Sequence, residues 1–251
     1  MNIHWDAEKY ARDFSFVAQH GEDLVALLDK KSVHSVLDLG CGNGILTNRL
    51  CKEGFSVCGI DSSDSQLQTA VKNYPHITFI KADATDFTLS APVDAVFSNA
   101  VFHWINRDKQ PDLLSCVYRA LKENGQFVFE FGGYKNGATI HDALRLAFEK
   151  RNLEYKISFF FPTAEEYAAL LESAGFKSVS VRLFDRPTPL KGENGLSDWI
   201  EMFVKEPFQS ITEAQKNEIV TETVNNLRSE LYQNGIWIAD YVRIRGTAIK
   251  K

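Results

Sequence analysis

The chain reads as an α/β protein built on a doubly wound, mostly parallel sheet, and two observations predict this. Short apolar runs near 35–39, 56–60, 77–80, 93–98 and 125–131 alternate with helical patterns near 44–53, 64–72 and 109–122. Such alternation produces parallel βαβ units, with helices covering both faces of one sheet. The second observation is the segment Val36-Leu37-Asp38-Leu39-Gly40-Cys41-Gly42-Asn43-Gly44-Ile45-Leu46. Here an apolar run ends in three alternating glycines and feeds a helical pattern, which makes a strand, a tight turn and a helix N-terminus. Ligands of open parallel sheets bind beyond the carboxyl ends of the strands, where bare helix amides await them. Glycine suits that turn because a Cβ would block close approach and because the turn calls for positive φ.

The elements follow in order. Residues 1–32 read as a helical cover, with Trp5 and Tyr10 in an aromatic, charged opening and a helix-like stripe at Leu24, Val25, Leu27 and Leu28. Phe55–Ile60 is a buried strand closing on Asp61, and Ser63-Asp64-Ser65-Gln66 looks like a capping box. Ser63 or Asp64 then caps the next helix and leaves Asp61 to a ligand, where a carboxylate can accept from both hydroxyls of a ribose. Ile77–Ile80 is a short strand closing on Asp83, and Val93–Ser98 runs into the polar loop Asn99-Ala100-Val101-Phe102-His103-Trp104. Leu121-Lys122-Glu123-Asn124-Gly125 is a helix stop before the strand Gln126–Phe131.

Beyond Gly132-Gly133 the pattern loosens. It holds a helix near 138–152, an aromatic stretch Ile157–Pro162, a second capping box at Thr163–Glu166, and a helix closed by Gly175. A strand over 179–184, helical patterns near 195–206 and 211–232, and one closing strand over Trp237–Gly246 complete the chain. The expected organisation is a single domain over 1–251, with core sheet from 33–184 and 236–251 and a helical lid from 185–235.

Composition bounds the partners. With 251 residues, 44% hydrophobic and 24% charged, the chain has enough apolar content for a large core. A net charge of −5 supplies no broad basic footprint for nucleic acid. The four cysteines, at 41, 51, 58 and 116, form no C-x-x-C pair and no metal-type cluster, so free thiols and no metal are expected. The opening residues lack a signal-peptide apolar region, and no apolar run approaches a membrane span. The expectation is a cytoplasmic protein with no nucleic-acid or membrane partner; the sequence leaves the oligomeric state open.

The glycine spacing discriminates between nucleotide binders. A dinucleotide fingerprint, G-x-G-x-x-G, would need a third glycine at position 45, which is Ile45. Glycines at 40, 42 and 44, Asp38 two residues earlier and Asp61 one strand later resemble the class I methyltransferases that use S-adenosylmethionine. The resemblance spans roughly residues 33–133. It implies a seven-stranded sheet with an antiparallel last strand and S-adenosylmethionine as cofactor. It assigns Asp38, Gly40, Cys41, Gly42 and Gly44 to the donor turn and Asp61 to the ribose, with Ser62 beside it among the cofactor-binding residues. By the same likeness Asp83 takes the adenine amine and the Ala84 amide a ring nitrogen, and Asn99 and Ala100 are cofactor-binding residues. The Asn/Asp-Pro-Pro-aromatic loop of base-methylating enzymes is absent. Ser98-Asn99-Ala100-x-x-His103-Trp104 is instead similar to the small-molecule branch around trans-aconitate methyltransferase, which implies O- or N-methylation of a small acceptor, or of a carboxylate.

Methyl transfer from a sulfonium is an in-line displacement that relies on positioning and exclusion of water. A base is needed only when the acceptor has a proton to lose. His103 has two readings, general base or orienting wall residue. Trp104 is packing or a cation–π partner for the sulfonium. Tyr10 and His20 are candidates to close over the donor, or are ordinary surface and core. Phe159, Phe160, Phe161, Phe184, Trp199, Phe203 and Phe208 make an acceptor pocket or plain core, and Arg182, Arg186 and Lys191 are candidates to clamp an acidic acceptor. Two other classes compete: a nicotinamide-dependent oxidoreductase, opposed by the glycine spacing and the lack of a convincing Tyr-x-x-x-Lys pair, and a binding protein without turnover.

Overall fold

A computed structural model describes residues 21–251. Trp5, Tyr10, His20 and most of the expected N-terminal cover lie outside the described residues, which hold only the helix Glu22–Val25 of it. The strands in chain order are β1 (Ser35–Leu39), β2 (Ser56–Asp61), β3 (Thr78–Lys81), β4 (Val93–Asn99), β5 (Leu121–Gly132), β6 (Lys177–Asp185), β7 (Thr188–Leu190), β8 (Tyr232–Gln233), β9 (Ile236–Ala239) and β10 (Val242–Ile249). The described chain divides into two compact units. One comprises residues 21–134, 160–183 and 244–251; the other comprises 135–159 and 184–243.

The first unit carries a seven-stranded sheet in the order β3-β2-β1-β4-β5-β10-β6. β1 pairs in parallel with β2 on one side and β4 on the other, β2 with β3, and β4 with β5. The order therefore reverses beside β1, and the carboxyl ends of β1 and β4 flank that switch point. β10 runs against β5: the Lys250 amide donates to the Gly125 carbonyl, while a Cβ on Gly133 would touch Ile244. The late strand is thus the antiparallel member of the sheet.

Side-chain alternation explains why both faces are covered. On β1, Leu37 and Leu39 enter one apolar cluster and Val36 the other; on β5, Phe127, Phe129 and Phe131 face the first and Val128 the second. The first cluster is an aromatic stack. Phe129 lies 4.9 Å from Phe127 and 5.1 Å from Tyr167, and Phe102 lies 5.6 Å from Phe131. The helices Ile45–Lys52, Asp64–Asn73 and Gln110–Ala120 fall where the sequence puts them. Ser63, the first of the two capping candidates, accepts from the Gln66 amide, and Thr163 caps Ala164–Ser173 in the same way.

Two sequence expectations are corrected here. The Asn124-Gly125 stop lies inside a strand: β5 begins at Leu121, and its pairing jumps from Val93↔Leu121 to Ala95↔Gln126. Asn124 takes φ +61 and donates its amide to the Lys250 carbonyl, so the irregularity is a bulge and not a break. The expected strand over 237–246 is two strands. The chain turns at Asp240-Tyr241, where the Tyr241 amide reaches the Ala239 carbonyl at 2.9 Å and the Asp240 carboxylate accepts from the Thr139 amide at 2.8 Å.

The second unit has a small antiparallel sheet, β7-β9-β8, with Leu190 and Tyr232 on either side of Trp237. Its helices are Ala138–Glu149, Gly195–Phe203 and Glu213–Leu231. Thr212 and Gln215 form a complete capping box at the last of these, and Glu222 ties it to Lys150 and Arg151 at 2.6 and 2.7 Å. Among the described residues no helix is long and apolar enough to cross a membrane, and no group of His, Cys, Asp or Glu side chains suits a metal ion.

Candidate functional site

The glycine turn hangs on its neighbouring strand. The Gly40 and Cys41 amides both donate to the Ile60 carbonyl, at 2.7 and 3.0 Å, and the turn closes with Gly44 at φ +81 as the N-cap of Ile45–Lys52. The three glycines serve different ends. A Cβ on Gly40 would lie 2.2 Å from Val101, and one on Gly44 would lie 2.9 Å from Phe79, so these two are small because protein packs on them. Only Gly42 borders open space, its nearest neighbour being the Gln66 side-chain oxygen at 3.9 Å. That Gln66 oxygen is buried and has no hydrogen-bond partner. An open glycine beside an orphaned acceptor is what a polar ligand carrying hydroxyl or amine donors would complete.

Two carboxylates flank this turn. Asp38 is buried, 2% exposed, and accepts from the Thr47 hydroxyl at 2.6 Å. Burial pushes its carboxyl up to about 7, against the Thr47 bond and with added repulsion from Asp61. Asp61 accepts the Gly42 amide on one oxygen and the Ser63 amide on the other, both at 2.8 Å. Burial also raises its pKa, opposed by the amides of Ser63, Gly42 and Ser62. Asp61 is thus a brace for the turn as well as a candidate ligand group. Each of its oxygens has a second lone pair available. Burial, with the negative field of Asp38 and Asp61 added to it, holds the Cys41 thiol far above its usual range. All four cysteines are free thiols; Cys41 and Cys116 are buried, Cys51 and Cys58 partly so.

The remaining expected contacts line the next strand ends. The Asp61 carbonyl receives the Ala82 amide at 3.1 Å, which draws the β3 end towards the β2 end. Asp83 is exposed and folds back on its own turn, accepting the Thr85 amide and hydroxyl at 2.8 Å, while Ala84 is buried. Across β1, the Ser98 hydroxyl donates to the Leu39 carbonyl at 2.7 Å. Ala100 then takes φ +62, a left-handed conformation that is uncommon for a residue with a Cβ, and its amide is held by the Glu130 carbonyl at 2.7 Å.

His103 sits on a short 3₁₀ turn, Phe102–Trp104, locked from several sides. The Gln110 amide group donates to the carbonyls of Phe102 and Ile105, and the His103 carbonyl receives the Phe160 amide at 3.0 Å. The imidazole, 8% exposed, stacks between Phe131 and Phe161 beside Trp104. Its Nδ1 accepts the Gly132 amide at 3.3 Å. A ring nitrogen that accepts carries no proton, so in the neutral ring the proton resides on Nε2. The sequence gives neither Gly132 nor Thr47 a site role; backbone and hydroxyl partners distant in sequence leave no motif.

The aromatic set of the last third is divided between the two units. Phe160 packs near Tyr167 and Phe161 near His103 in the first unit. In the second unit Phe159 and Trp199 meet His141, Trp199 meets Phe203, and Phe208 meets Phe148. Arg182 and Lys191 are exposed, and Arg186 lies over the Phe184 ring at 5.0 Å.

Residues 36–125 match a family model described as a methyltransferase domain. The chain is 32% identical to an uncharacterized methyltransferase of Schizosaccharomyces pombe, over 99% of this chain and 98% of that protein. It is 25% identical to a trans-aconitate 2-methyltransferase of Deinococcus radiodurans, over 82% of this chain and 83% of that one. Among solved structures, a SAM dependent methyltransferase from Archaeoglobus fulgidus superposes with a TM-score of 0.57 at 17% identity, covering 97% of each chain, a likeness of fold.

Proposed function

The chain belongs to the class I methyltransferase family, and we propose that it moves the methyl group of S-adenosylmethionine to an oxygen of a small molecule that has no proton to lose, a carboxylate above all. The nicotinamide alternative falls with the family assignment. S-adenosylmethionine supplies the electrophilic methyl when bound; Gly42, Gln66, Asp38 and Asp61 are the residues of this chain that would hold it.

The observation that carries the acceptor class is the Gly132 amide on His103 Nδ1. With Nδ1 engaged as acceptor, Nε2 bears the proton and the ring offers a donor instead of a base. A donor suits an oxygen that is already negative, and its use needs no proton transfer. The likeness to a trans-aconitate methyltransferase supports the same reading.

Labelled donor incubated with pooled carboxylates, phenols and amines should label the carboxylate pool, with a rate flat between pH 6 and 8 as expected without an essential base. His103→Gln, which keeps a side-chain N–H, should retain most of kcat, whereas His103→Ala should lower it about ten- to a hundredfold, the worth of one positioned donor. Exclusive labelling of phenols or amines, with a rate that climbs with pH and vanishes in His103→Gln, would overturn the acceptor assignment.

The turn provides a second test. Gly42→Ala should weaken S-adenosylhomocysteine binding about tenfold or more while costing about 1–2 kcal/mol of stability for a Cβ at positive φ. Gly40→Ala should cost about 3 kcal/mol, because strain is joined by overlap with Val101. Equal binding by Gly42→Ala and the parent in calorimetry would remove Gly42 from the ligand site.

A further inference from the structure

Two arginines stand two residues apart on β10 and are treated differently. Arg245 is paired: its guanidinium meets the Glu130 carboxylate at 2.6 Å, with side chains 9% and 1% exposed. Arg243 is equally buried, 5% exposed, yet it has no ion pair and no hydrogen bond among the described residues. Its Nε is sealed from solvent without a partner. Among the described residues its guanidinium meets the Tyr241 ring, whose centroid lies 4.9 Å from the guanidinium carbon.

The groups around Tyr241 in the second unit do not neutralise that charge. The Tyr241 hydroxyl accepts the Trp199 indole N–H at 2.5 Å, and burial raises its pKa, so it stays a neutral phenol. Trp199 lies 5.9 Å from His141, which burial keeps neutral with its pKa lowered to about 4. His141 is bonded through Nδ1 to the Tyr155 hydroxyl, itself held neutral by burial. The nearby carboxylate in sequence, Asp240, is engaged by the Thr139 amide and makes no ion pair with Arg243. The backbone is held in place as well, since the Val242 amide donates to the Asn136 side-chain oxygen at 3.2 Å. A buried cation is ordinarily matched by a buried anion, so the unmatched guanidinium is a place where an anionic group of a ligand completes the pair. Guanidinium is the group best shaped to take an oxyanion through paired N–H bonds, and an aromatic face beneath it fixes its plane.

We propose that Arg243 is an anion subsite of the second unit, which takes one carboxylate or phosphate group of a small molecule. The subsite stands on the unpaired guanidinium and does not depend on the methyl-transfer reading.

The test uses the full chain, with citrate and inorganic phosphate as separate probes and S-adenosylhomocysteine as control. Each probe's affinity is measured by calorimetry for the parent, Arg243→Met and Arg243→Lys. At least one probe should bind the parent and bind Arg243→Met about ten- to a hundredfold more weakly, with Arg243→Lys between them. Citrate alone assigns a carboxylate group, phosphate alone a phosphate group, and both a general oxyanion site. Without ligand, Arg243→Met should melt at or above the parent temperature, since the variant removes an uncompensated buried charge. Neither anion binding the parent, or both binding parent and Arg243→Met alike, overturns the subsite. So does a lowered melting temperature in ligand-free Arg243→Met and Arg243→Lys with unchanged anion affinity, which marks a purely structural arginine. Unchanged S-adenosylhomocysteine binding in Arg243→Met separates failure of this site from failure of the donor site.

Discussion

Asp61→Ala is expected to abolish detectable binding of S-adenosylhomocysteine and to lower folding stability by about 3 kcal/mol. The stability loss follows from two bonds in the unliganded chain, since the carboxylate receives the Gly42 and Ser63 amides, one on each oxygen. Hydrogen bonds to a charged acceptor contribute about 1.5–3 kcal/mol each, and part of the loss is recovered as water reaches the half-buried amides. The binding loss follows from the same geometry: the group expected to hold the ribose also holds the turn that the ligand must lie against. Asp61→Asn preserves shape and one acceptor oxygen, so it should fall between alanine and the parent in both measurements. Calorimetry with S-adenosylhomocysteine and urea unfolding read the two effects separately. Parental affinity in Asp61→Ala would sink the assignment of this carboxylate to the donor site.

The unliganded chain should also lose about 4 kcal/mol of stability between pH 4 and 7 through Asp38. Its carboxyl stands at about 7 in the folded chain against 3.8 for the unburied group, chiefly because burial disfavours the ionised form. The folded state therefore keeps a proton that the unfolded state has released. Stability from this group is full below the unfolded value and falls as pH rises towards the folded one. Asp38→Asn keeps an acceptor for the Thr47 hydroxyl and removes the charge. It should match the parent near pH 4, exceed it near pH 8 by a similar amount, and show a flatter profile in urea titrations. Donor binding brings an ammonium and a sulfonium, and a cation beside Asp38 lowers its pKa. Near pH 6 to 7 binding should then release a proton, visible as a dependence of the calorimetric heat on buffer ionisation. A parental pH slope in Asp38→Asn, or heats independent of buffer, would contradict this account.

The parts that could be read in the sequence are those written in local pattern. Apolar runs ending on Leu39, Ile60 and Ser98 mark β1, β2 and β4 because strands buried on both faces have little else in them. Ser63 and Thr163 announce helix starts through a side chain that reaches only three residues ahead. What could not be read depends on partners far along the chain. That Gly40 is small for Val101 while Gly42 borders open space requires knowing where residue 101 lies. That His103 is an Nε2–H donor depends on an amide 29 residues away. The division of Trp237–Gly246 between two sheets turns on Asp240 binding the Thr139 amide, a contact across 101 residues. Of the two cap candidates Ser63 is the one used, and its own amide also rests on Asp61, a contact that the sequence does not announce.

The position of β10 has a consequence for how the protein is made. The latest strand of the seven lies inside the sheet, between β5 and β6, and not at its rim. While the polypeptide is still emerging from the ribosome, β6 has no neighbour to bond with, and the rim of β5 stands bare. Both are openings for mispairing between nascent copies until residues 242–249 arrive. Slowing elongation between β6 and β10 should lengthen that exposed interval and lower the soluble yield, and chaperones that shield extended segments should restore it.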